Sequence, residues 1–362
     1  MMPGEVITDP GQVTVDWLTA VLTRSGALTS GAVTTIRPTT GHGNWSTNAA
    51  LEVQYTDDAQ GELPRRLFLK MVQTDSGDET FGPSEVTYYT RDYVDVADAP
   101  LVRCYDGAYS AAIRRYHLLL DDLSETHTEA YNKTPTLGYG LALAEGFAAL
   151  HGRWWGAARL AEVDEPIHSA DHIQRFVDIA APGADYILAQ FSHELEPHWP
   201  DLVRSLYAHH PQRLIARTQN DNGFTLIHGD AGPYNILVPR EGERPIYLID
   251  RQPFDWSLTT WLGVYDLVYA LVIDWETDLR RSLELPILKH YYHCLRQRGI
   301  KGYTWEQLWA DYRLMAPLGV YIATEFCRGG INEPMRWVWL PMLQRALTAC
   351  DDLNCRSLWE TG

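Results

Sequence analysis

The sequence predicts an α+β chain in two parts, a first third built on an antiparallel sheet and a longer, mainly helical remainder. Period-two apolar runs fill the first 120 residues, and helical spacing dominates after residue 124. Only the stretch from Thr225 to Asp250 returns to short strands. With 362 residues and 45% hydrophobic side chains, the chain can bury one large core or two moderate ones.

The elements follow in order. Val15 to Arg24 has helical spacing, with Thr14 as N-cap and Gly26 as stop. Five strand-like runs come next: Val33 to Thr39, Ala49 to Tyr55, Arg66 to Val72, Leu101 to Tyr105 and Ala111 to Leu120. One helical segment, from about Pro83 to Ala97, interrupts them after the third. Helical spacing returns at Leu137 to Trp155, at Ala184 to His209 and through much of Gly263 to Leu358. No repeat, low-complexity tract or flexible linker separates the parts, so the expected division is 1–120, a hinge at 121–124, and 125–362.

Composition excludes several functions. A formal net charge of −17 argues against a nucleic-acid groove, because phosphate neutralisation needs a basic footprint. Acidity is compatible with a cationic or neutral small ligand, and equally with solubility alone. Five cysteines without a paired short spacing read as reduced thiols of a cytoplasmic protein. The first twelve residues lack the basic and apolar regions of a signal peptide, and the apolar stretch around Leu262 to Ile273 is too short to span a bilayer.

The most informative segment is Phe224-Thr-Leu-Ile-His-Gly-Asp-Ala-Gly-Pro-Tyr-Asn-Ile-Leu-Val-Pro239, followed by Ile246-Tyr-Leu-Ile-Asp-Arg-Gln252. It supplies what phosphoryl transfer requires. Asp230 can orient and finally deprotonate an attacking hydroxyl, while Asn235 and Asp250 offer hard oxygen ligands to the Mg²⁺ of ATP. If their strands pair, Asn235 and Asp250 fall at the same end. An ordinary Asp is a weak base at neutral pH, which suffices when the hydroxyl loses its proton late.

The pattern His228-x-Asp230-x-x-x-x-Asn235 followed by Ile249-Asp250 resembles the catalytic and metal loops of the protein-kinase-like superfamily, and its Gly229 and Ile-Asp-Arg-Gln form point to the aminoglycoside phosphotransferase and choline kinase branch. The run Leu118-Leu-Leu-Asp-Asp-Leu123 is similar to the ecdysteroid-kinase-like part of it. The resemblance implies a bilobal protein-kinase-like fold and ATP-dependent phosphorylation of a small-molecule hydroxyl. It also implies site roles. Lys70, one of only four lysines, lies in an apolar strand and would pair with Glu85 and a phosphate, although alone it also suits a lysine snorkelling to solvent. Gly41-His-Gly43-Asn-Trp-Ser46-Thr47 would cover the phosphates or serve only as a hairpin turn. The hinge around Asp121 would face adenine. His228 and Asp266 would support the catalytic loop, and His151, at the end of the helix before it, would be structural. Arg251 stands where the family often has an aromatic residue, and pairs with a phosphate or with an acid such as Asp255.

For the acceptor, Trp261, Trp275, Trp305, Trp309, Trp337 and Trp339, with Asp274, Glu276 and Glu325, lie in the region that usually forms the pocket. Tryptophans at helical spacing also suit a core. The expected acceptor is a hydroxylated molecule, cationic or sugar-like. The alternative is a nucleotide-binding pseudokinase acting on a partner, which would require a damaged catalytic set. His168/His172 and His193/His198 lack a third metal ligand and read as ordinary histidines.

Overall fold

Alternation along Arg66–Gln73 decides how the first part of the chain is built. Leu67, Leu69 and Met71 face one way and are buried, while Lys70 faces the other. In the computed structural model, which describes residues 5–43, 46–75 and 81–360, this strand is the centre of a five-stranded antiparallel sheet. Its order is Val33–His42, Ser46–Tyr55, Arg66–Gln73, Arg115–Asp121, Cys104–Ser110. The helix Val15–Arg24, capped by the Thr14 hydroxyl, buries Trp17, Leu18, Val21 and Leu22 in one core with Ala49, Leu51, Leu67, Leu69 and Leu119. The opposite face is left to Lys70.

The predicted strand order holds, but the helix after the third strand is shorter than expected. Ser84–Thr87 is α-helical, Tyr88–Asp92 widens into a π-turn, and Tyr93 ends it. The chain divides into two compact units. The first comprises Met1–Ala97, Leu101–Thr128 and Leu237–Asp255, so the strands around Asp250 group with the N-terminal sheet. The second comprises Asp98–Pro100, Glu129–Ile236 and Trp256–Gly362.

The second unit is mainly helical. Leu137–Arg153 packs on Thr277–Gln297, and Ala170–Gln190 on Leu318–Glu325. At Gly183 a Cβ would stand 1.8 Å from the Thr324 carbonyl oxygen, so these last two helices approach more closely than any other residue allows. The expected helix from Ala184 to His209 is two helices, Ala170–Gln190 and Trp199–Arg217, broken between them at the Glu196-Pro197 step. A short antiparallel pair, Phe224–Leu226 with Thr260–Leu262, leads into the segment that carries Asp230. Among the described residues no helix is long and apolar enough to cross a membrane.

Candidate active site

In the first unit, Lys70 is nearly buried and its Nζ lies 2.8 Å from both carboxylate oxygens of Glu85 and 2.5 Å from Asp250 Oδ1. Burial alone would push the ammonium down, but the Glu85 and Asp250 charges more than offset it and hold the group above its ordinary range. Tyr116 donates its hydroxyl to Glu85 Oε2, an oxygen that Lys70 also contacts. No motif in the sequence marks that tyrosine; it lies opposite Val72, two residues along from Lys70 on the same face, so the strand register is what reveals it. Asp250 is half exposed and has φ 57°, in the left-handed region that Asp tolerates better than most residues.

Arg251 is buried, with its guanidinium 3.7 Å from Asp92 and 5.2 Å from the centre of the Tyr88 ring. Asp92, at the end of the segment that carries Glu85, is therefore one carboxylate beside it. Ser84 donates to the Gln252 carbonyl at 3.3 Å, and the Phe81 and Phe254 rings meet edge to face. Three contacts thus tie the Asp250 loop to the Glu85 segment.

Gly41 pairs with Asn48, and the Gly43 amide donates to the Ser46 carbonyl. Gly43, Ser46, Thr47 and Tyr116 line a recess of about 200 Å³. Asn44 and Trp45 lie outside the described residues. Asp121 accepts from the Tyr105 hydroxyl at 2.6 Å.

In the second unit, Asp266 organises the loop that carries Asp230. It is fully buried and accepts from the backbone amides of His228 (2.7 Å) and Gly229 (2.9 Å), while His151 Nε2 lies 3.0 Å away. Burial would raise its pKa, yet His151 and the Gly229 amide hold it below the ordinary carboxylate range. Gly229 turns the chain with φ 80°. His228 is buried, and its Nδ1 accepts from the Asp230 amide at 3.4 Å. Asn235 Nδ2 donates to the Asp230 carbonyl at 2.9 Å and to its Oδ2 at 3.0 Å, and Tyr269 donates to Oδ1 at 2.6 Å. Both carboxylate oxygens of Asp230 are therefore aimed by neighbours. Tyr269 is a second residue outside the sequence motif; it stands one helical turn after Asp266, which is the signal that points to it.

The candidate acceptor acids separate. Asp274 and Glu276 line a cavity of about 470 Å³, whereas Glu325 pairs with Arg328 at 3.1 Å and does not line it. The tryptophans separate too. Trp275 and Trp337 border the cavity; Trp261 and Trp339 are fully buried core. His168 and His172 stack at 3.9 Å, and His168 Nε2 accepts from the Thr259 amide, a structural arrangement. Among the described residues no group of three or more His, Cys, Asp or Glu could hold a metal ion. A Mg²⁺ that arrives with ATP needs less, one or two protein oxygens beside the phosphates. Asp250 supplies an exposed carboxylate, and Asn235, whose amide nitrogen is occupied, keeps its carbonyl oxygen for a hard cation.

No family profile and no curated protein matches the sequence. Solved structures do. Ethanolamine kinase from Plasmodium vivax matches with a TM-score of 0.52 at 12% identity, over 88% of this chain and 81% of that one. Glucosamine kinase in complex with glucosamine, ADP and inorganic phosphate matches with a TM-score of 0.53 at 12% identity, over 93% and 83%. The chain has the fold of small-molecule kinases. A second glucosamine kinase crystal form matches with a TM-score of 0.52 at 14% identity, over 93% and 84%.

Proposed function

We propose that the chain transfers the γ-phosphoryl group of ATP to a hydroxyl of a small molecule. The observation that carries this is the Asp230 carboxylate held at both oxygens on a loop braced by the buried Asp266. Lys70, kept cationic by Glu85, pairs with the nucleotide phosphates, and Gly43 and Ser46 contribute donors over them. The backbone beside Asp121 meets the base. Asp250 and Asn235 would hold the Mg²⁺ that comes with ATP, whose charge would offset that of the phosphates.

Asp230 accepts a hydrogen bond from the acceptor hydroxyl and orients its oxygen toward the γ-phosphorus. As the new O–P bond forms, the bond from the γ-phosphorus to the bridging oxygen breaks and ADP leaves. The hydroxyl proton passes to Asp230 late, so its ordinary basicity is adequate. The acceptor is a hydroxylated amine or sugar-like molecule, for which Asp274 and Glu276 supply the acidic side chains. Glu325, engaged with Arg328, would contribute at a distance.

An ATP-consumption screen across alcohols, with product mass to locate one added phosphate, tests the reading. Asp230→Asn is expected to lower turnover by about 10³-fold or more while Mg·ATP affinity stays within a few-fold. Asp250→Ala loses Mg·ATP binding by calorimetry. Full turnover by Asp230→Asn overturns the assignment.

A further inference from the structure

Glu85 stands on weak local support. Its helical segment, Ser84–Thr87, is about one turn long and has no side-chain cap at its start, and the backbone then widens into the π-turn at Tyr88–Asp92. So short a helix fixes little by its own cooperativity. The Glu85 carboxylate is instead gripped from the sheet, where Lys70 Nζ lies 2.8 Å from both of its oxygens and the Tyr116 hydroxyl donates to Oε2. These are its partners among the described residues. They come from adjacent strands, Arg66–Gln73 and Arg115–Asp121, and the register, Val72 opposite Tyr116 and Lys70 opposite Leu118, turns both to one face.

The two donors hold the carboxylate differently. Lys70 carries a point charge on a flexible stem and also contacts Asp250 Oδ1, so its grip is shared between two acids. A carboxylate held by that ammonium alone can pivot about it. Tyr116 carries its hydroxyl on a buried, rigid ring, and burial, then the Glu85 charge, pushes the phenol well above its ordinary pKa, so it stays a donor. A second fixed point removes the pivot. The Tyr116 ring also borders the 200 Å³ recess lined by Gly43 and Ser46.

We propose that Tyr116 is a positioning residue for the nucleotide: by fixing the Glu85 carboxylate it holds the Lys70 ammonium where the ATP phosphates come to lie. Because Lys70 meets the phosphates in the proposed kinase activity, this role rests on that reading. Lys70 lies between two acids of unequal freedom, Glu85 buried and Asp250 half exposed. Loosening Glu85 therefore lets the ammonium follow Asp250 instead. Tyr116 acts through Glu85 and not by touching the phosphates.

Calorimetric titration of the full chain with Mg·ATP and, separately, with adenosine tests it in the parent, in Tyr116→Phe, in Glu85→Gln and in the double variant. Tyr116→Phe keeps the ring and removes the hydroxyl. It should bind Mg·ATP about 10-fold more weakly, the loss expected for one hydrogen bond to a charged group, while adenosine, which has no phosphate, stays within about two-fold of the parent. Adding Tyr116→Phe to Glu85→Gln should cost little more, because the hydroxyl acts through the carboxylate. Unchanged Mg·ATP affinity in Tyr116→Phe, an equal loss for adenosine, or losses that add in the double variant overturns the proposal and leaves the kinase reading standing. Denaturant unfolding of the same four proteins covers a variant that binds poorly because it folds poorly: the two substitutions should be non-additive there too, and additivity overturns the proposal without any nucleotide. A parent that binds no Mg·ATP overturns the kinase reading, and this role with it.

Discussion

Asp274 is held in a state that ordinary solution would not favour. Its folded pKa lies well above that of an exposed aspartate, first through burial and then through Asp230, with Arg345 opposing. The folded chain therefore binds a proton there more tightly than the unfolded chain does. The stability this gives is present at acid pH and is lost as pH rises through the elevated pKa. Asp274→Asn removes the penalty, so its melting temperature relative to the parent should rise by roughly 2 °C or more between pH 5 and pH 8. A pH-independent difference would show that the carboxyl is already ionised. Asp266 has the opposite sign, since its lowered pKa contributes stability above the ordinary carboxylate range that disappears on acidification.

At the scale of elements, the contact between Arg251 and Asp92 joins the Asp250 loop to the segment that carries Glu85. It connects a loop whose Asp250 has left-handed backbone to a short helical segment ending in a π-turn. Arg251→Met leaves Asp92 with Arg91, which lies 2.6 Å away, so the expected cost is about 2 kcal/mol. Denaturant unfolding measures that cost. Calorimetry with Mg·ATP should show weaker binding, because Asp250 precedes the substituted residue. Unchanged stability and nucleotide affinity would remove the clamp. This pair also marks the limit of what local pattern encodes. The strands are legible because alternation is local, and Lys70, Asp230, Asn235 and Asp250 because their residue types and spacing carry the chemistry. The segment after Pro83 reads as one long helix, since Val86, Tyr89 and Tyr93 suit helical spacing. Asp92 at its end meets Arg251, far along the chain, a contact that no local pattern encodes. Of the cavity walls, Asp274, Trp275, Glu276 and Trp337 are legible as candidates, whereas Tyr131, Tyr139 and Tyr234 come from separate stretches whose spacing says nothing of a shared surface.

For the whole molecule, a net charge of −17 acts at long range on whatever approaches. A cationic acceptor is drawn in at low ionic strength and Mg·ATP, an anion, is not. Raising salt from about 20 to 500 mM, which shortens the screening length from roughly 20 Å to a few ångströms, should lower kcat/KM for a cationic acceptor found by the screen several-fold. The same change should leave the KM for ATP unchanged or reduced. Parallel loss for both substrates would mean that salt acts on the fold and not on encounter.

The grouping of binding residues bears on the sequence of events in a catalytic cycle. Lys70, Glu85 and Asp250 belong to one compact unit, whereas Asp274, the aromatic cavity and the braced Asp230 belong to the other. The cavity is thus lined without any side chain of the first unit, and the Lys70–Glu85 pair forms within the first unit alone. Neither substrate has to arrive first. Initial-rate plots with the two substrates varied should intersect, and a dead-end analogue of either one should be competitive only against its own counterpart.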